Sequence, residues 1–177
     1  MATVPAGTPG ASFTNLAPNA TYYLAVRAVS HAGIPTDYTS LGSTHTLAAV
    51  PELSTRTFAG VFQTSMTVQW SSGTNPAWTE YRVDAATSSD FGGLLWSTSW
   101  EAFASTTVLG LTRNTTYYAR VQARNLDLLT TAYLALGATS TLANVPVDGG
   151  NPFPVVGLSS VSASWASAGN PSWTLYE

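Results

Sequence analysis

Through the middle of the chain apolar residues recur at every second position, the period of a strand with one dry face, and not at the 3.6 spacing of a helix. Met66, Val68 and Trp70 alternate with Thr67 and Gln69, and Tyr81, Val83 and Ala85 alternate with Arg82 and Asp84. Tyr117, Ala119, Val121 and Ala123 fall on one side of the next long run, with Tyr118, Arg120, Gln122 and Arg124 on the other. All the charge of that strand is thus on one face. The runs are separated by Ser72-Gly73-Thr74-Asn75-Pro76, by Ser88 through Gly93, and by Thr112-Arg113-Asn114-Thr115, which are rich in turn formers. About seven short strands without a helical segment predict an all-β, immunoglobulin-like antiparallel β-sandwich.

The same pattern occurs more than once. Residues 11–51 align without a gap on residues 106–146 at an offset of 95, and residues 147–177 align on residues 52–82 at that same offset. Identical pairs include Leu16 with Leu111, Asn19 with Asn114, Tyr22 with Tyr117, Val26 with Val121, Trp70 with Trp165, Asn75-Pro76 with Asn170-Pro171, Trp78 with Trp173 and Tyr81 with Tyr176. The predicted organisation is a C-terminal part of a repeat over residues 1–51, a complete repeat over 52–146 and an N-terminal part of a further repeat over 147–177.

The run Leu111, Asn114, Thr116, Tyr117, Val121, Ala123, Asn125 resembles the fibronectin type III signature at the corner entering its sixth strand, and Leu16, Pro18, Tyr22, Val26, Ala28 repeats it. Trp70 resembles the buried Trp of that family's second strand, and Tyr81 the Tyr of its third. The resemblance covers the whole chain by way of the repeat and implies a sandwich with Trp70, Tyr81, Leu111, Tyr117 and Val121 in its core. The sequence departs from the family pattern at Arg113, where Pro is usual, and it has no Arg-Gly-Asp loop. The Thr-rich, Lys-free, Cys-free texture resembles tandem repeats of large bacterial surface proteins, which implies an extracellular or cell-surface setting. Such sandwiches serve as spacers, adhesins and receptors, so the fold does not select among these uses.

Composition narrows the function. Charged residues make up 8 % of the chain, all six cations are Arg, and the net charge is −3. Tracking a phosphate backbone needs clustered cations, so nucleic acid is excluded as a partner. With no Cys there is neither a disulfide nor a thiolate metal site. The charge-free stretch Leu128 to Val147 is broken by Thr, Ser, Asn, Gly and Pro, and is no membrane span. Met1 to Gly10 shows no secretion signal.

Catalysis finds no constellation. The two histidines, His31 and His45, lie in the first partial repeat and are replaced by Leu126 and Ser140 in the complete one, so no nucleophile, base and orienting group recur together. The nine carboxylates mark neither a glycosidase pair nor a calcium loop. We expect no enzyme, no cofactor and no metal. Asn19-Ala20-Thr21 and Asn114-Thr115-Thr116 are formal glycosylation acceptors, but the turn before the corner Tyr itself calls for these residues. In the run Leu94 to Phe103, Trp96 and Trp100 are four apart and would share a face of an extended strand. They are the candidate ligand platform, for a carbohydrate, set against core packing or contact with a neighbouring domain.

The flanking halves carry Leu16, Tyr22 and Val26 on one side, and Trp165, Trp173 and Tyr176 on the other, and neither half can bury these groups alone. Together they lack only the equivalent of Val83 through Leu95. The expectation is a non-enzymatic structural or adhesive module that self-associates head to tail into a fibre, each split sandwich being completed by strands of another copy. The alternatives are a segment of a longer tandem array acting as an extracellular spacer, its neighbours being further repeats, and a carbohydrate-binding surface module.

Overall fold

The computed structural model describes residue 7, residues 10–93 and residues 95–177; most of Met1–Gly10, and Leu94 of the aromatic run, lie outside the described residues. Strands β1 (Thr21–Val26) and β2 (Thr39–His45) form a hairpin. Seven strands follow: β3 (Glu52–Val61), β4 (Ser65–Ser71), β5 (Glu80–Ala86), β6 (Leu95–Ser97), β7 (Ser105–Leu109), β8 (Thr116–Arg124) and β9 (Leu134–Ser140). They build one sheet in the order β3-β4-β7 and a second in the order β6-β5-β8-β9, with every pair antiparallel. The chain continues as four two-residue strands, β10 (Val147–Asp148), β11 (Val155–Val156), β12 (Val161–Ser162) and β13 (Trp165–Ala166).

The period-two pattern dictates what the two sheets enclose. Met66, Val68 and Trp70 of β4 face Tyr81, Val83 and Ala85 of β5 and Tyr117, Ala119, Val121 and Ala123 of β8 in a single core, joined by Val108, Leu111 and Leu136. The residues read as core, Trp70, Tyr81, Leu111, Tyr117 and Val121, are all buried. The Tyr117 hydroxyl accepts the Thr112 N–H at 2.8 Å and so pins the turn to the strand that leaves it. Tyr22 does the same with the Ala17 N–H at 2.9 Å. In each of these turns an Asn adopts the left-handed region, Asn19 at φ 46° and Asn114 at φ 44°, which its short polar side chain tolerates better than most.

The flanking segments copy the central registers. β8 pairs Thr116 with Ser140 and slips between Ala119 and Arg120; β1 pairs Thr21 with His45 and slips between Leu24 and Ala25. β3–β4 pairs Leu53 with Trp70 and Val61 with Met66, while β10–β13 pairs Asp148 with Trp165 and β11–β12 pairs Val156 with Val161. Each correspondence keeps the offset of 95. Burial is not copied: Val121 is fully buried and Val26 is 50 % exposed, and Trp70 is 4 % exposed against 50 % for Trp165.

Candidate functional site

The feature that recurs with its side-chain chemistry intact is the joint between one repeat and the next. At the first joint, Asn19 is nearly solvent-free and every polar group it has is used. Its backbone N–H donates to the Leu47 carbonyl at 3.0 Å, and its carbonyl accepts the Trp78 indole N–H at 3.3 Å. Its Nδ2 donates to Thr79 Oγ1 at 2.9 Å, and its Oδ1 accepts the Leu126 N–H at 3.0 Å. Asn75 closes the linker, accepting the Ala49 N–H at 2.7 Å and donating to the Ala49 carbonyl at 2.8 Å. Thr79 and Trp78 come from the β4–β5 turn and Leu126 from the loop after β8, so the turn carrying Asn19 is gripped from two sides. Asn125 Nδ2 adds a bond to the Thr46 carbonyl at 3.2 Å, and His45 Nδ1 lies 2.9 Å from Asp127 Oδ1 across the boundary.

The second joint repeats this 95 residues on. Asn114 Nδ2 donates to Thr174 Oγ1 at 2.8 Å, the Asn114 carbonyl accepts the Trp173 indole N–H at 2.9 Å, and Asn170 holds Asn144 by two bonds of 2.7 and 2.8 Å. Arg113, at the position where the resemblance calls for Pro, donates from Nη1 to the Ala168 carbonyl at 2.9 Å, so the departure supplies a contact across this joint. An intramolecular hydrogen bond contributes a net ~0.5–1.5 kcal/mol, and leaving a buried amide unpaired costs about 1–3 kcal/mol. Opening a joint breaks several such bonds at once. Sequence reasoning saw Asn19, Asn114, Asn75, Asn170, Trp78 and Trp173 as repeated turn residues. It missed that they meet across the repeat boundary, for which identity at an offset of 95 in polar turn positions was the available signal.

The two indoles read as a platform do not share a face. Only Leu95–Ser97 of that run is strand. Trp96 turns inward and meets Tyr117 edge-on at 5.2 Å and 87°. Trp100 lies on the outer face, stacked under the Arg82 and Arg124 guanidiniums at 5.2 and 4.6 Å. The strand ended too soon for the four-residue spacing to hold, and the charged side chains of β5 and β8 took the second ring. The outer face continues as a ladder in which Arg120 lies 3.8 Å from the Tyr133 ring and 4.1 Å from Phe91, with Asp84 held between Arg82 and Arg120. No group of three or more His, Cys, Asp or Glu that could hold a metal occurs among the described residues, and no helix among them is long and apolar enough to cross a membrane. His31 is exposed in the β1–β2 loop.

Residues 51–128 match the model of the fibronectin type III domain, and the central sandwich has that fold. No curated protein matches the chain. Solved structures similar to it include the extracellular region of rat CD45, domains d3-d4, at 17% identity over 80% of this chain and 74% of that one, with a TM-score of 0.49. The fibronectin type III domain of human fibronectin type III domain containing protein 3 is 21% identical over 53% of this chain and 83% of that one, with a TM-score of 0.38. Chicken CNTN1 domains FN1-FN3 are 18% identical over 75% of this chain and 46% of that one, with a TM-score of 0.41.

Proposed function

We propose that the chain is a non-enzymatic structural or adhesive module of the cell exterior, in which fibronectin type III repeats are held end to end by a recurring stiff joint and act as a spacer. The observation that carries this reading is the recurrence of the Asn–Thr, Trp–carbonyl and paired Asn–linker bonds at both repeat boundaries. A flexible string of domains has no use for a buried amide that must be paired across each boundary. Of the two histidines, His45 is engaged with Asp127 at a joint and His31 is solvated.

The chain has no Cys, so introduced cysteines are its only thiol labels. Spin labels at Ser43 and Leu109, both exposed, straddle the first joint. A narrow interlabel distance distribution is expected, broadening in Thr79→Val, which removes only the hydroxyl that Asn19 grips. A broad distribution in the parent chain would overturn the reading.

A finer reading adds assembly of copies head to tail, each completing the split sandwich of the next. What favours it is the shared register, β1–β2 keeping that of β8–β9 and β10–β13 keeping that of β3–β4. The surfaces involved are Leu16, Tyr22 and Val26 on one copy and Trp165, Trp173 and Tyr176 on the other, and the mass in solution across a dilution series tests it.

A further inference from the structure

We propose that the free edge of β7 takes up one extended peptide segment of another protein as an antiparallel strand, with an apolar side chain against Trp96 and, two residues on, a basic side chain at Glu101. This goes beyond the spacer reading, in which the flanks of the sandwich have no part.

The two sheets of the central sandwich have four edge strands, and three of them are blunted. β3 breaks register on both sides of Phe58 and carries Glu52 and Arg56; β9 slips opposite Ala119 and Arg120, beside Gly137 at φ 94°; β6 is only Leu95–Ser97. β7 has none of these devices. It pairs with β4 in unbroken register from Ser105 to Leu109, and Ala102 to Thr112 contains neither a charge nor a proline. Bulges, charges, proline and shortness are the means by which sheet edges are kept from pairing, so β7 is the edge left open to it.

Its pairing with β4 shows which groups are free. The Ala104 carbonyl accepts the Trp70 N–H at 3.0 Å, which turns the backbone groups of Ala104, Thr106 and Val108 toward β4. The Thr67 and Thr107 hydroxyls lie 3.0 Å apart, the close approach of a pair that exchanges no backbone bonds. Ser105, Thr107 and Leu109 therefore present their N–H and C=O groups outward, at the spacing an antiparallel strand requires.

The side chains beside this edge select the occupant. A cleft of about 310 Å³ separates Trp96–Ser99 from Thr106–Leu109, and Glu101 is the charged residue that lines it. Trp96 pairs with Ala85 and Glu101 with Tyr81, whose ring meets Trp70 near the Ser105 end of β7. The indole thus lies toward Val108 and the carboxylate toward Thr106. Val108 is buried, so strand residues opposite Val108 and Thr106 point into the cleft with it. In an antiparallel segment the residue opposite Val108 comes first, and the residue opposite Thr106 follows two later. Glu101 makes no ion pair among the described residues, and a cation at the later position supplies one.

The overhang of the facing sheet decides between a single strand and a second copy. β7 lies over β5, and β6 extends that sheet past it. Two sandwiches joined β7 to β7 about a two-fold axis would bring their β6 strands into collision, whereas one extended segment fits beneath β6. The mode is strand addition, with affinity from the backbone and selectivity from alternate side chains.

The blocked peptide Ser-Thr-Val-Thr-Arg-Thr-Ser, titrated into the full chain, should slow amide exchange at Ser105, Thr107 and Leu109 by roughly tenfold or more, with Thr106 and Val108 already slow from their bonds to β4. Replacing its Arg by Glu should weaken binding by about tenfold, and Glu101→Arg should reverse the preference between the two peptides. Thr107→Pro removes an N–H that β4 does not use, so near-ultraviolet dichroism should stay that of the parent while binding is lost. No binding at millimolar peptide, binding that leaves the three amides unprotected, or equal affinity for the two peptides would overturn the proposal. Protection of the same amides by self-association without peptide would overturn it too, assigning the edge to a second copy.

Discussion

The indole of Trp165 meets the ring of Tyr176 at 5.6 Å between centroids and 60° between planes, and 95 residues earlier Trp70 meets Tyr81 at 5.5 Å and 58°. The earlier pair sits inside a closed sandwich and the later one is partly open to solvent, yet the geometry is the same. The strand, the Asn-Pro turn and the strand start that carry the two rings therefore set their arrangement locally. Closing the second sheet over them adds burial energy without altering the pair.

That separation gives the first prediction. Trp70→Ala should destabilise the central domain by about 3–5 kcal/mol, as other large core truncations do. Trp165→Ala removes a half-exposed ring and should leave the denaturant midpoint of the central domain unchanged. Equal losses from the two substitutions would show that the central sandwich depends on the C-terminal segment for its stability.

Tyr117→Phe keeps the buried ring and deletes the hydroxyl that accepts the Thr112 N–H. The orphaned donor should cost about 1–3 kcal/mol, read from urea unfolding with an unchanged m-value. The same change at Tyr22 acts on an exposed bond, where water replaces the lost partner, and should have a much smaller effect.

The sandwich was legible in the sequence because its strands are half-wet. Alternation in Met66–Trp70, Tyr81–Ala85 and Tyr117–Ala123 names both the period and the buried face, and the corner Tyr is named by the resemblance of the run from Leu111 to Asn125 to the fibronectin type III signature. The joint was not legible. Asn19 and Thr79 are 60 residues apart, as are Asn114 and Thr174, and no periodicity links a turn in one repeat to a turn in the next. Trp96 and Trp100 misled for a related reason. A four-residue spacing puts two side chains on one face only while the strand lasts, and β6 ends at Ser97. The Arg82 and Arg124 guanidiniums that receive Trp100 belong to strands β5 and β8 and are invisible from within the run.

Burial pushes the Tyr81 hydroxyl above the ordinary phenol range, against the smaller opposing effects of Asn75 and Thr79. The folded state then holds its proton where the unfolded chain, with a phenol pKa near ~10, gives it up. Stability should accordingly fall as pH rises through that value, because the folded form binds more protons than the unfolded one. Below it Tyr81 makes no pH-dependent contribution. Tyr81→Phe should flatten this alkaline slope in unfolding experiments carried out between neutral pH and strongly alkaline conditions, and an unchanged slope would assign it to other tyrosines.

Arg113 and Pro18 occupy equivalent positions at the two joints, and the difference between them should be measurable. Arg113 Nη1 donates to the Ala168 carbonyl, a contact that Pro18 has no group to make. Arg113→Pro should therefore remove one bond from the second joint, loosening it by ~0.5–1.5 kcal/mol, while the fixed φ of proline suits a turn that already accepts it in the first copy. Spin labels placed on either side of the second joint, at Ser140 and Ser162, should report a broader distance distribution in Arg113→Pro than in the parent. The first joint in the same molecule is the internal control and should not move. If the distribution at the second joint stays as narrow as before, the guanidinium is a surface decoration and the Asn114, Trp173 and Asn170 bonds suffice to hold the repeats in line.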